Sequence, residues 1–254
     1  MPNLTKTELR WGYLPHDAFA SEETLVIAQG ALTLVEGTAV LVLHTPIDPV
    51  PAHVVEQARD AVHAILLSSL LRNRTPCRLN ESVTTHQVSD AGVSSNIVTG
   101  TGALVVTSAT VAASIEIRDK FGVVISNSGQ LQRQATHDSL SAMYPKVLRS
   151  PTLRALLQSY GRSIEDVDNE FVHLYEINDA LIKQFGSLAL AAAAFPGAAC
   201  NLRTLGKLAN FLPLEQGRHR GSHAGNLRPA TVGELEDIRT AALALITGFA
   251  ATVV

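Results

Sequence analysis

Only two cysteines, Cys77 and Cys200, occur among the 254 residues, far apart and with no CxxC or Cys/His ligand spacing around either. That leaves a structural zinc motif unsupported, and free, buried thiols in a reducing cytoplasm are expected. The chain also lacks the GxGxxG and GxxxxGK[ST] phosphate loops, the HExxH pair and a GxSxG nucleophile turn. Dinucleotide, P-loop, zinc-protease and serine-hydrolase chemistries therefore have no support. There is no internal repeat. The longest apolar runs, Ser187 to Cys200 and Ala241 to Val254, fall short of the ~20 residues that span a bilayer, and both are expected to be core helices. Met1 to Tyr13 carries charges throughout and has no apolar h-region, so no secretory signal is expected, and the inferred location is cytoplasmic. Excess charge is missing too. At a formal −3, the protein is not basic over its whole surface, so any affinity for nucleic acid must come from a local patch.

What is present is a globular composition, 46% hydrophobic and 17% charged, in a chain long enough for one large or two ordinary domains. Strand signals dominate the first half. Residues 24–28, 31–35 and 39–43 are rich in aliphatic and β-branched side chains, and Glu36-Gly37 marks a hairpin. After Pro46, Pro49 and Pro51, apolar residues from Val54 to Leu70 recur at helical spacing, predicting a helix over about 52–72. Arg72 and Arg74 at its end are expected to cap carbonyls. Loose alternation from Arg78 to Gln87 predicts an edge strand. Val111 to Arg118 and Val123 to Ser126 predict two more strands. Residues 1–130 thus read as an α+β module, a mostly antiparallel sheet with one helix on a face.

From Thr136 the period changes from two to 3.6, and 136–254 reads as an all-α helical bundle, with Gln130 to Gln134 as the connection. A short helix is expected over 152–160. A long one follows from Ile164 to Phe185, its stripe including Val167, Phe171, Leu174 and Tyr175, with Gly186 as its C-cap. Asn178 on that helix is expected to make a core hydrogen bond. Another helix spans 202–211. The last opens on Thr231-Val232-Gly233-Glu234, a capping box. His53, His63 and His173 have no same-face partner at ligand spacing and read as structural or solvated.

The stretch with chemistry in it is Gln216 to Asn226, which sets Arg218, His219, Arg220 and His223 among Gly217, Gly221 and Gly225. Guanidinium groups bind phosphoryl oxygens as planar forks, and imidazole moves protons near neutral pH. Residues five apart on a helix would point ~140° away from each other, whereas glycines permit a turn that brings Arg218 and His223 to one point. Between Leu202 and Arg228 the only acid is Glu215, against Arg203, Lys207, Arg218, Arg220 and Arg228. This local excess of positive charge suits phosphate binding.

Arg218-His219-Arg220-Gly221-Ser222-His223 resembles the Arg-(Asn/Asp/His)-x3-His motif of the HEPN superfamily, carried at the entry to the last long helix of a bundle. The resemblance covers residues 136–250 and none of the first half. It implies a bundle of HEPN type, homodimeric, that cleaves single-stranded RNA without a metal or other cofactor, through attack of a 2′-hydroxyl on the adjacent phosphodiester. It implies His223 as acid/base, Arg218 as stabiliser of charge on phosphate oxygens and His219 as an orienting residue. Arg220, Arg203, Lys207 and Arg228 supply further positive charge for RNA, and the acidic partner is Glu176 or Asp179. A role in phage defence or as a toxin follows only by analogy with the family. A non-catalytic RNA- or nucleotide-binding module and a protein-interaction module are the alternatives.

Overall fold

The computed structural model describes residues 4–19, 21–91, 94–99, 116–118, 124–218, 220 and 227–254. They form two compact units, 1–66 with 77–144 and 67–76 with 145–254.

The first unit is built on an antiparallel sheet. Its strands are β1 (Leu4–Leu14), β2 (Glu23–Ile27), β3 (Gly30–Val35), β4 (Thr38–Leu43), β5 (Arg78–Leu79), β6 (Val83–Ser89) and β7 (Ser94–Thr99). The spatial order is β2-β3-β4-β1-β6-β7, with β5 paired to β1. The turn between β3 and β4 falls on Glu36 and Gly37, which both take positive φ (45° and 77°), the geometry that matches the twist of a two-residue hairpin.

Two corrections concern the middle of this sheet. The sequence marks no strand before residue 24, yet β1 is its central strand, paired to β4 on one side and β6 on the other. Its charges hid it: Glu8 is buried, and Lys6 and Arg10 flank it on the strand and neutralise it. The predicted edge strand over 78–87 is instead the short β5 and then β6, which lies between β1 and β7. Apolar alternation under-reported β6 because its inward row is Val83, Thr85 and Gln87, two of them polar.

Helix α1 (Ala52–Asn73) closes the core. Its Ala58, Ala61, Val62 and Ile65 join Leu9, Trp11, Leu32 and Leu41 from the strands in one buried cluster. Beyond β7, residues 116–118 (β8) pair antiparallel with 124–127 (β9). The remainder of the strand predicted from Val111 lies outside the described residues.

The expected connection at 130–134 is helix: α2 runs from Ser128 to Arg149. The second unit then continues with α3 (Pro151–Glu165), α4 (Glu170–Phe185), α5 (Leu188–Ala193), α6 (Ala198–Gly206) and α7 (Val232–Thr252). The single helix predicted from Ile164 to Phe185 is broken, since α3 ends at 165 and a 3-10 turn occupies 167–169. Ile164 and Val167, counted in the apolar stripe, are exposed. Downstream of the break the stripe holds: Phe171, Leu174 and Leu181 are fully buried, and Gly186 caps α4 at φ 87°. Asn178 is buried, but its Oδ1 has no hydrogen-bond partner among the described residues. The region predicted as one helix over 202–211 is the end of α6 followed by a π-helical turn, Lys207–Phe211. Thr231 and Glu234 make the reciprocal capping box. Neither cysteine is in a disulfide, and Cys200 is exposed and Cys77 half-buried, so neither is the buried thiol expected. Among the described residues no helix is long and apolar enough to cross a membrane.

Candidate functional site

The described residues on either side of the basic glycine-rich segment are tied to one another. The Glu215 N–H donates to the Arg228 carbonyl and the Arg228 N–H to the Pro213 carbonyl, each at 3.0 Å, and Gln216 Oε1 accepts from the Ala230 N–H at 3.1 Å. These bonds bring the entry and the exit of the loop together immediately before the Thr231 cap of α7. Gly217 is required there by close approach, because a Cβ would stand 3.1 Å from the Ala209 carbonyl oxygen and 3.2 Å from that of Leu214. The next residue is fixed by its main chain, the Arg218 N–H donating to the Ala209 carbonyl at 2.8 Å.

Both described arginines of the loop are anchored on one stretch of chain, Asp168 to Asp179. Arg218 lays its guanidinium 4.4 Å from the centroid of the Tyr175 ring and pairs Nη1 with Asp179 Oδ2 at 3.2 Å. A cation above an aromatic face is attracted by the ring quadrupole, and the carboxylate sets the in-plane orientation of the fork. Arg220 donates from Nη2 to the Asp168 carbonyl and to Asn169 Oδ1, each at 2.7 Å, and from Nε to the Gly217 carbonyl at 3.0 Å. His219 and His223 lie outside the described residues, as do Gly221 and Gly225.

Of the two candidate acids, Asp179 meets Arg218. Glu176 is directed to α3: it accepts from Ser159 Oγ at 2.7 Å and has Arg162 at 3.9 Å. Arg228 is engaged by Glu234 in a bidentate pair, 2.7 and 2.8 Å, and this guanidinium, helped by the Thr231 main chain and hydroxyl, lowers the Glu234 carboxyl from 4.5 to about 2. Arg203 on α6 and Lys207 in the turn after it are exposed, one helical turn apart.

No protein-family model, curated protein or solved structure matches this chain. The site therefore rests on its own geometry, and several of its parts were not picked out from the sequence. Asp166 accepts from both sides, from Asn169 Nδ2 at 2.9 and 3.1 Å and from the His173 ring, Nε2 at 3.1 Å. Those bonds, Asn169 first and then His173, hold the Asp166 carboxyl below its usual range. A chain of contacts thus runs from Arg220 through Asn169 and Asp166 to His173, whose Nδ1 lies 3.7 Å from Glu176. The available signal was spacing: Asn169, His173 and Glu176 fall at i, i+4 and i+7, and Tyr175 and Asp179 at i, i+4. Tyr175 falls on the apolar stripe by spacing, yet it is half-buried and its ring carries Arg218. Beneath this layer, Glu170 is buried and takes Arg239 of α7 through both oxygens, at 2.5 and 2.7 Å. Among the described residues no group of three or more His, Cys, Asp or Glu side chains is placed to hold a metal ion.

Proposed function

We propose that the second unit is an endoribonuclease of HEPN type, cleaving RNA by attack of the 2′-hydroxyl on the adjacent phosphodiester without help from a metal. The observation that carries this reading is the placement of Arg218 on Tyr175 and Asp179, at the neck of a loop that leads into the last long helix. A ring face and one carboxylate oxygen orient the guanidinium and leave other N–H donors of the fork for a phosphate, so the group is positioned before substrate arrives. Arg220 adds a second cation tied to the same stretch of chain. His223 takes the proton of the 2′-hydroxyl as its oxygen bonds to phosphorus, the bond from phosphorus to the 5′-oxygen breaks and that oxygen takes up a proton to leave as a 5′-hydroxyl, and His219 assists in orienting His223. Arg203 and Lys207 supply exposed charge for the RNA backbone. The protein acts as a homodimer through its helical unit, for which the exposed Phe211 and Val232, either side of the loop in sequence, offer apolar surface.

The decisive experiment is cleavage of single-stranded RNA in EDTA by wild type, Arg218→Ala and His223→Ala, with end-group analysis of the products. A cyclic 2′,3′-phosphate from wild type and loss of cleavage in both folded variants support the reading. Intact RNA with all three proteins ends it. RNA bound with a steep salt dependence but never cut favours the non-catalytic binding module instead.

A further inference from the structure

The first unit holds a cleft of about 400 Å³, large enough for a small organic molecule. It is bordered by residues 48–50, the first turns of α1 and side chains of β1, β6 and β7. The loop that forms one wall is held by the sheet: Thr7 Oγ1 donates to the Ile47 carbonyl at 3.2 Å and accepts from the Ile47 N–H at 3.1 Å, and Gln87 Nε2 donates to the same carbonyl at 3.2 Å. That wall is in place before any ligand arrives.

Two independent features of the cleft define its occupant. The first is an orphan donor. Trp11 lines the cleft and is only 1% exposed, and its indole Nε1–H, a group that can donate but not accept, is buried with no hydrogen-bond partner among the described residues. Val50, Val55 and Val83, which share the lining, have no side-chain acceptor to offer it. A buried donor left without a partner is costly, and an acceptor brought into the cleft removes that cost. The second feature is the charge of the rim. Asp48, Glu56 and Glu81 are exposed carboxylates, against one cation, Arg59, whose Nη2 reaches the Asn80 carbonyl at 3.4 Å. Three acids to one base give the mouth a negative potential, which attracts cations and repels anions.

We propose that this cleft binds a small organic cation whose apolar body carries a hydrogen-bond acceptor, an ester, amide or ketone carbonyl, with the carbonyl taking the Trp11 N–H and the cationic end at the carboxylate rim. A ligand group that only donates cannot satisfy the indole, and an anion is opposed by the rim, so acceptor and positive charge are both required. The assignment is independent of the ribonuclease reading.

Acetylcholine is the probe, because it sets an ester carbonyl at one end of a short chain and a permanent cation at the other. Trp11 is the only tryptophan in the chain, so a single indole N–H resonance reports on the cleft directly. In nitrogen–proton correlation spectra of the full chain, acetylcholine should move that resonance downfield in a saturable way. Pentyltrimethylammonium, of the same length but without an acceptor, should bind about 2–10-fold more weakly and produce no downfield shift. The neutral isostere 3,3-dimethylbutyl acetate should shift the indole proton as acetylcholine does but bind about 2–5-fold more weakly, a gap that added salt closes and that Glu56→Gln and Glu81→Gln each narrow. By calorimetry, Trp11→Phe should bring acetylcholine down to the affinity of pentyltrimethylammonium, and the ligand comparison on wild type makes the same test without altering the core. The proposal is overturned if acetylcholine does not saturate by ~10 mM, if the indole proton stays in place at saturation, or if the neutral isostere binds as tightly as acetylcholine at low salt.

Discussion

Arg218 and Asp179 are 39 positions apart in sequence and joined at 3.2 Å, with the Tyr175 ring beneath the guanidinium. Both partners are partly solvated, so the contact orients Arg218 more than it stabilises the fold. On the ribonuclease reading, Asp179→Asn and Tyr175→Leu should each lower kcat for RNA cleavage about 3–10-fold with little change in KM, because they loosen a group that acts on the transition state. Tyr175→Phe keeps the ring face and should stay within about twofold of wild type. Equal loss of cleavage in Tyr175→Phe and Tyr175→Leu would remove the ring from the account.

What the sequence disclosed about this site follows from how its parts are spaced. The loop itself stood out because glycines, arginines and histidines are concentrated in one short stretch, and the Thr231–Glu234 cap because its donors and acceptors are three residues apart. The surface that receives the loop did not stand out. Asn169, His173, Tyr175 and Asp179 share α4 and its lead-in with Phe171, Leu174 and Leu181, and a helical period read for its apolar stripe passes over the polar stripe beside it. The break at 165–170 was equally hidden, since Ile164 and Val167 continue the apolar period although both are exposed. In the first unit the signal ran the other way. The hairpin at Glu36-Gly37 and helix α1 were legible, but β1 was masked by Lys6, Glu8 and Arg10, whose mutual neutralisation exists only once the strand has formed.

Beneath the site, Glu170 and Arg239 tie α4 to α7. The carboxylate is almost entirely buried, whereas the arginine keeps a solvated edge. Removing the arginine strands a charge in a place water cannot reach, so Arg239→Met should destabilise the second unit by about 2–3 kcal/mol, the low side of the range for broken buried pairs. The double variant Glu170→Gln/Arg239→Met should recover part of that loss, because the uncompensated charge is gone. Urea unfolding of the two variants against wild type measures both quantities. Additive losses in the double variant would show that the pair is not coupled.

Gly248 on α7 faces Phe195 so closely that a Cβ would meet the ring at 2.5 Å. Gly to Ala in a helix interior ordinarily adds stability through the unfolded chain. Here the clash should dominate, and Gly248→Ala should cost about 1–3 kcal/mol. Gly233, at the other end of the same helix, has nothing within 4 Å of an added Cβ. Gly233→Ala is therefore the matched control, and thermal unfolding should show it unchanged or slightly raised. A stabilised Gly248→Ala would mean that the Phe195 ring yields at little cost.

The entry to α7 is pH-sensitive through Glu234. Arg228 first, and then the Thr231 main chain and hydroxyl, bring its carboxyl down from 4.5 to about 2, against the opposing effect of partial burial. A depressed carboxylate stabilises the folded state above its unfolded value, and that contribution fades as pH falls through the folded value. Wild type should therefore exceed Glu234→Gln in melting temperature at pH 6. The gap should begin to narrow near the ordinary carboxylate value and be lost only below about pH 2. Thr231→Ala removes the other half of the capping box without a titrating group. Its cost of about 1 kcal/mol should stay nearly constant across pH 5 to 7, where Glu234 is ionised in both states. Because Arg228 also closes the neck of the loop through its main chain, the Glu234→Gln variant should leave the neck formed at neutral pH and keep any RNA cleavage. A gap that widens toward low pH would reverse the sign and refute the linkage.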